Sequence, residues 1–179
     1  PSTVPAQMTN PGFETGDLSG WTTTDLTIPY VPIQVSGAGN TCPDMGDGFI
    51  TAPTEGSWSL QNGWDGNGPG HITAGQDYDV PALGTTTLTF DYRASWDLVL
   101  VPATLDRTFS VNIEPAGGGA PLQTDLMLTA IANTYLADTG ILQGSVDLTP
   151  YAGTTVFINF DWWVPEVNSG PAYFELDNI

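Results

Sequence analysis

Short apolar and aromatic segments separated by turn residues occupy nearly the whole chain, and none of them shows the period of a helix. Residues 87–92 and 109–113 alternate between apolar and polar side chains, which is typical of strands with one buried and one solvated face. Many short strands without intervening helices favour an all-β fold, an antiparallel β-sandwich. The sequence predicts strands at 33–36, 48–52, 57–61, 72–80, 86–96, 107–114, 122–129, 144–148, 154–164 and 172–179.

The length of 179 residues is ordinary for one β-sandwich domain. Hydrophobic residues make up 40% of the chain and include six Trp, six Tyr and seven Phe, which is enough to form a core. Internal repeats and linker-like segments are absent from the sequence. We therefore expect a single domain from residue 10 to residue 179, preceded by an extended segment at 1–9.

Basic residues are nearly missing. The chain has 20 acidic residues, no Lys and only two Arg, Arg93 and Arg107, so the formal net charge is −18. Such a chain lacks the positive charge that would neutralise nucleic-acid phosphates. Repulsion also disfavours anionic membranes and strongly anionic glycans as partners. Divalent cations are favoured, and the same charge is typical of a soluble secreted surface that resists association.

Cys42 is the single cysteine, so a disulfide within the chain is excluded, and we expect it to be a small buried hydrophobic residue. No apolar run reaches the length of a membrane span, and membrane insertion is not expected. Together with the many Thr, Gly and Asn residues, this favours an extracellular or cell-surface protein. We expect no enzymatic activity, because His71 is the only histidine and the sequence lacks a nucleophile motif and zinc-ligand spacing.

The two ends of the chain carry similar segments, 10–21 and 174–179, each with a Phe next to a carboxylate. If these segments pair in one sheet, Glu14 and Asp177 come together. Two approaching carboxylates repel each other unless a proton or a cation lies between them. The pattern predicts an ion at the seam of a closed sandwich, and the alternative is that both are ordinary turn and strand-end carboxylates.

Four motifs together resemble the galactose-binding-like jelly roll, which calcium-containing bacterial carbohydrate-binding modules and many secreted surface domains share. They are Asn-x-Gly-Phe-Glu at 10–14, Gly-Asp-Leu-Ser-Gly-Trp at 16–21, Gly-Asp-Gly-Phe at 46–49 and Phe-x-Leu-Asp-Asn-Ile at 174–179. The resemblance spans residues 10 to 179 and implies the fold more specifically than the ligand.

The same resemblance implies a structural calcium ion. The matching ligands are the Glu14 side chain, the Gly12 backbone carbonyl and the Asp177 side chain, with a further carbonyl from the 39–47 region. Calcium suits such a set because it accepts carbonyl and carboxylate oxygens in flexible geometry.

Sugar binding needs an aromatic face for the apolar side of a pyranose, with amides or carboxylates around it for the hydroxyls. Trp64 fits this requirement, because turn dipeptides place it in a loop between polar residues. Trp96 at the end of a long strand is the second candidate. The predicted carbohydrate-binding residues are Asn62, Trp64, Asp65, Asn67, Trp96 and Asp97.

The remaining tryptophans are assigned from their strand positions. Trp162 and Trp163 are neighbours in a strand and therefore lie on opposite faces, so one of them points outward or into a groove near Asp161 and Glu166. We expect Trp21 and Trp58 in the core, and His71 as a loop residue that forms hydrogen bonds. Both a loop edge and a sheet face stay open as the binding surface.

The sequence as a whole predicts a non-catalytic extracellular domain that binds neutral polysaccharide through exposed tryptophans and contains a structural calcium ion. The alternative is a structural or adhesive subunit of a surface fibre or extracellular matrix. In that case copies of the chain would associate, with residues 1–9 adding to the sheet edge of a neighbour.

Overall fold

The fold is a sandwich of two antiparallel sheets, seen in a computed structural model that describes residues 7–179. The first sheet has five strands, in the spatial order β1 (Thr22–Thr24), β4 (Gly70–Asp79), β10 (Thr155–Val164), β6 (Arg107–Pro115) and β7 (Gln123–Ala130). The second sheet has β2 (Gln34–Ser36), β3 (Ser59–Asn62), β11 (Gly170–Asp177), β5 (Thr87–Val101) and β8 (Tyr135–Leu136), with β9 (Leu142–Asp147) also paired to β5. The predicted all-β sandwich is confirmed.

A single large core fills the space between the two sheets. Alternate residues of β10 point inward and are fully or almost fully buried, from Val156 to Val164, and they meet inward residues of β5 and β11. Aromatic rings dominate the contact, with Phe109 centred 4.6 Å from Phe174 and 5.0 Å separating Phe90 from Phe160. Aromatic packing of this kind adds to the stability that burial supplies.

A long segment, residues 37–57, covers the outer side of the second sheet. It contributes the buried side chains of Cys42, Met45 and Phe49, which form a second hydrophobic cluster with Tyr173 of β11. The guanidinium of Arg93 lies 4.7 Å from the centre of the Phe49 ring. The expected burial of Cys42 is confirmed, and burial raises the pKa of its thiol to about 12.

One predicted strand is absent from the structure, and two short strands of the structure were not predicted. Residues 48–52 form an isolated bridge between Thr41 and Ile50 rather than a strand, because this stretch belongs to the covering segment. The short strands β1 and β8 were not predicted, since three and two residues carry no readable alternation. Among residues 7–179, no helix is long and apolar enough to cross a membrane.

The two ends of the chain do not pair with each other as strands. Residues 10–21 form successive turns that bury Phe13, while β11 lies between β3 and β5 in the second sheet. The expectation of a strand pair between the ends is therefore wrong. The Gly and Asn residues of 10–21 favour turns over a ladder of hydrogen bonds.

The predicted N-terminal segment 1–9 falls mostly outside the described residues. Within the described part, the backbone of Thr9 exchanges two hydrogen bonds with the side chain of Gln76, at 2.7 and 3.1 Å. Residues 7–9 therefore lie against β4. Strand addition through residues 1–9 stays a prediction.

Candidate functional site

Trp64 is fully buried, so the prediction that it offers an exposed face is wrong. Its ring packs edge-on against Trp96 and Phe174, with ring centres 6.5 and 6.0 Å away. Trp96 is also buried, at 6% exposure, and its indole nitrogen donates a hydrogen bond to Thr134 Oγ1 at 3.0 Å. Neither tryptophan can stack on a sugar.

The turn residues around Trp64 allow close backbone contact instead of exposure. A Cβ on Gly63 would lie 2.5 Å from the Val31 backbone nitrogen, and one on Gly66 would lie 2.6 Å from the Ile28 carbonyl oxygen. The loop therefore packs directly on the segment 28–31, and Trp64 turns toward the core. Glycine in a loop marks such close approaches as well as turns.

The polar residues predicted with these tryptophans are separated by the fold. Asn62 is fully buried on the inner side of β3, and Asp97 caps a turn by accepting hydrogen bonds from the backbone N–H groups of Val99 and Leu100. Asp65 and Asn67 line a cavity at one end of the sandwich. The six predicted residues therefore do not form one site.

Trp163 is the tryptophan that reaches the surface of a sheet. Along β10, residues 156, 158, 160, 162 and 164 are buried, whereas 157, 159, 161 and 163 are partly exposed. The prediction that Trp162 and Trp163 lie on opposite faces is confirmed, with Trp162 in the core. We call the surface formed by outward residues of β4, β10, β6 and β7 the outer face.

His71 and Trp163 form an aromatic pair at one end of the outer face. They are directly opposite in the register of β4 and β10, and their ring centres are 4.5 Å apart. His71 Nδ1 lies 2.7 Å from Asp161 Oδ1, and the histidine side chain is 53% exposed. The carboxylate thus holds the imidazole against the indole, and both rings are accessible from the same side.

Amides, hydroxyls and carboxylates continue the outer face along the strands. Asn112 donates a hydrogen bond to Asp161 Oδ2 at 3.1 Å and accepts one from Thr124 at 2.8 Å. Asn159 donates to Glu114 Oε1 at 2.8 Å. These bonds fix the rotamers of the row, so its polar atoms are preorganised rather than mobile.

The far end of the outer face is closed by the hairpin between β6 and β7. Gly117 donates its backbone N–H to Asp77 and Gly119 donates to Glu114, at 2.8 and 2.9 Å. The Phe157 ring lies across Gly75, where a Cβ would approach to 2.4 Å of the ring. A larger residue than glycine would push this ring off the sheet.

Apart from His71, the outer face carries carboxylates and uncharged groups. Both arginines are held elsewhere, Arg93 by Asp138 at 2.6 Å and Arg107 by Asp65 at 3.2 Å. With the chain at −18 overall, this surface repels anions. Hydrogen-bonding neutral ligands suit it.

Tryptophan assignments for the core were half right. Trp21 is 8% exposed and stacks on Phe13 with ring centres 5.2 Å apart. Trp58 is 38% exposed, so the expectation of a core position for it is wrong. It lies over Gly16, whose absent side chain leaves room for the indole.

The predicted calcium ligands lie near one loop, residues 54–58, which fills the seam between the ends. Asp177 Oδ2 accepts hydrogen bonds from the backbone N–H groups of Thr54 and Glu55, at 2.6 and 2.9 Å. Glu14 accepts backbone hydrogen bonds from Ser57 and Trp58, each at 2.9–3.0 Å. The repulsion between these carboxylates is thus offset by N–H donors.

The fit of a calcium ion to this seam is limited by those same bonds. The Asp177 and Glu14 oxygens face N–H groups, whereas calcium needs several free oxygen ligands. Burial raises the pKa of Asp177 against the effect of its hydrogen bonds. Within residues 7–179 no group of three or more His, Cys, Asp or Glu side chains is placed to hold a metal ion. Calcium stays a prediction, together with Gly12 as its carbonyl ligand.

The sequence matches no known family model, and no curated protein matches it. The structure is similar to the carbohydrate-binding module TmCBM61 solved in complex with β-1,4-galactotriose, with a TM-score of 0.51, 13% identity, and 94% of this chain and 91% of that chain covered. It is also similar to two cleaved adhesin domains of Lys-gingipain from Porphyromonas gingivalis W83. The K1 domain has a TM-score of 0.51 and 15% identity, with 93% of this chain and 92% of that chain covered. The K3 domain has a TM-score of 0.51 and 18% identity, with 97% of this chain and 96% of that chain covered. At this identity the similarity shows the fold, and it confirms the predicted resemblance to carbohydrate-binding jelly rolls at that level.

Proposed function

We propose that this protein is a non-catalytic, extracellular module that binds a neutral polysaccharide on the outer face. The single observation that carries the proposal is the partly exposed Trp163, which packs against the tilted ring of His71 at the end of a row of fixed hydrogen-bonding side chains. The similarity in fold to a module solved with β-1,4-galactotriose adds support.

The chemistry of a pyranose matches this arrangement. Its apolar C–H face stacks on the Trp163 indole, and its hydroxyls bond to the partly exposed carboxylate of Asp161, which Asn112 holds in place from below. An aromatic platform with a few convergent polar groups is typical of sites for small polar ligands. His71, in this proposal, positions the indole and widens the platform, and takes no part in a reaction.

The outer face has room for a chain of sugars rather than one sugar. Trp163 and Phe157 are six positions apart along β10, which corresponds to about 20 Å at the rise of a β-strand. Aromatic rings therefore lie at both ends of the row, with Asp161 and Asn159 between them. We expect binding along an oligosaccharide, and weaker binding of a monosaccharide that reaches one ring only.

Affinity gel electrophoresis tests the proposal directly. The protein is run in gels that contain xylan, β-glucan, mannan or β-1,4-galactan, and we expect retardation by at least one of them. Trp163→Ala should abolish this retardation. Trp58→Ala is the matched control, because it removes another partly exposed indole that lies on the 54–58 loop.

Three results would contradict the assignment. Unretarded migration in all four gels would contradict the proposed binding of neutral polysaccharide. Unchanged retardation of Trp163→Ala would exclude the outer face as the binding surface. Loss of retardation in Trp58→Ala alone would indicate that the binding site lies at the 54–58 loop.

A further inference from the structure

A second candidate site lies outside the outer face, in a cavity at one end of the sandwich. It has a volume of about 480 Å³, which is large enough for a small organic molecule. Four segments form its wall: 28–30, 65–67, 100–101 and 168–171, with Asp44 at the rim. None of them belongs to the row of residues proposed to bind glycan.

The wall of the cavity is mainly apolar. Ile28, Leu100 and Val101 are 65%, 58% and 44% exposed, and Pro29 and Pro171 lie beside them. Aliphatic side chains clustered at a concave surface favour a ligand with an apolar body.

The charged groups that line the cavity are carboxylates. Asp65 lies at its base with a side chain that is only 9% exposed, and its Oδ1 accepts hydrogen bonds from Gly66 and Arg107 at 2.7 and 3.2 Å. Its Oδ2 accepts no hydrogen bond from the described residues. This oxygen lies so close to Gly170 that a Cβ on that residue would be only 2.0 Å from it. At the rim, the Tyr30 hydroxyl donates a hydrogen bond to Asp44.

The nearest positive charge is withdrawn from the cavity. Arg107 is fully buried behind Asp65, where its guanidinium also bonds to Ser169, and it does not line the wall. Two carboxylates and one buried guanidinium leave a negative field in the cavity, on a chain with a net charge of −18. An anionic ligand is excluded by this field, and a cation is attracted.

From this geometry we infer that the cavity is a binding site for an organic cation, an ammonium or guanidinium group on a short aliphatic stem. The stem contacts Leu100, Val101 and Ile28, and the charged head lies between Asp44 and Asp65. Such a head occurs in free alkylamines and in the basic side chains of a partner protein, and the two sources share this chemistry.

Titration followed by ¹H–¹⁵N NMR tests the inference, with n-butylammonium chloride as the probe at pH 7.5. We expect saturable shifts of the amides of Gly66, Asn67, Ser169 and Gly170. The uncharged analogue 1-butanol has nearly the same length and shape, and it should bind at least about tenfold more weakly because it lacks the charge. Equal affinity for both probes, or no saturable shifts with n-butylammonium, would overturn the inference.

Two variants locate the charged contacts. Asp44→Asn should weaken n-butylammonium binding by about tenfold, and its exposed position protects the fold. Asp147→Asn is the matched control, since it removes the same charge at the opposite end of β5, where Asp147 pairs with Thr87 while Val101 pairs with Gly170. Equal affinity of the two variants would overturn the role of Asp44.

The dependence on pH gives an independent readout. Burial raises the pKa of Asp65 to about 6, so its charge is lost below that value. Affinity for n-butylammonium should fall as the pH decreases from 7.5 to 5, and the fall should exceed that for the uncharged reference, 1-butanol. A pH-independent affinity would exclude Asp65 from the contact.

A peptide separates the two sources of the cation. If Gly-Gly-Lys-Gly-Gly binds at least as tightly as n-butylammonium, the cavity accepts the side chain of a partner protein. If the amine binds and the peptide does not, the ligand is a free small molecule.

Discussion

Replacing Trp64 and replacing Trp163 by alanine should have opposite effects, and this pair of variants separates the assignment made from the sequence from the one made from the structure. Trp64 is fully buried, whereas Trp163 is partly exposed on the outer face. The first should therefore lose stability and the second should lose binding.

The expected cost for Trp64→Ala follows from its burial. The ring has 0% exposure and packs on Trp96 and Phe174, and truncating a buried Trp to Ala costs about 3–5 kcal/mol. In a chain of this size each kcal/mol lowers the melting temperature by about 2–4 °C. We expect a decrease of roughly 6–20 °C, with glycan affinity retained in the folded fraction.

The expected cost for Trp163→Ala is small in stability and large in binding. Its ring contacts His71, with ring centres 4.5 Å apart, and such a pair contributes about 0.5–1.5 kcal/mol. An aromatic anchor of a binding site typically contributes about 2 kcal/mol or more to affinity, or roughly 30-fold. The variant should melt within a few degrees of the parent protein and fail to bind.

Thermal melts followed by tryptophan fluorescence, together with affinity gels, measure both quantities on the same samples. Trp64→Phe serves as a control that keeps most of the buried ring and should recover part of the lost stability. The reasoning is refuted if Trp64→Ala melts like the parent protein and loses binding while Trp163→Ala keeps it.

Three further predictions follow from the charges and the chain ends. Burial raises the pKa of Asp65 to about 6 from 3.8, so the free energy of unfolding should be highest below pH 4 and should decrease by roughly 3 kcal/mol as the pH rises through 6. Urea midpoints should show this decrease, and Asp65→Asn should make the midpoint less dependent on pH. If a calcium ion bridges Glu14 and Asp177, a chelator should lower the melting temperature by several degrees, and an unchanged melt removes the ion. If copies of the chain associate through residues 1–9, size-exclusion chromatography should show oligomers at high concentration that a truncation of 1–9 removes, and monomers throughout would exclude this alternative.

The fold could be predicted from the sequence because it depends on the alternation of apolar and polar residues, which can be recognised in each strand without knowing which strands lie beside it. Alternation in 87–92 and 109–113 is visible in the sequence, and these residues lie in β5 and β6, two of the longer strands. A strand with one apolar side has to bury that side, so several such strands specify a two-layer sandwich. The short strands β1 and β8 add little burial, and little pattern marks them.

The predicted site failed at Trp64 because turn residues have two uses that the sequence does not distinguish. Asn-Gly and Asp-Gly pairs occur in exposed turns, and the same glycines permit a backbone to lie directly on another segment. Here Gly63 and Gly66 contact 28–31, a segment more than thirty residues away. Only the tertiary structure decides that the indole turns inward.

Trp163 shows the complementary case. The sequence indicated that one of the two neighbouring tryptophans points outward, but whether the outward indole is accessible depends on a distant segment. The burial of Trp162 in the core decides that the outward one of the pair is Trp163. Whether an outward residue is accessible depends on what covers the sheet: residues 37–57 bury the outer side of β11, including Tyr173, while the outer side of β10 stays partly exposed. The covering segment has no regular alternation that assigns it to one sheet or the other. The choice of the outer face as the binding surface is therefore a consequence of how an irregular loop packs, and such packing is the part of a β-sandwich that a strand pattern leaves undetermined.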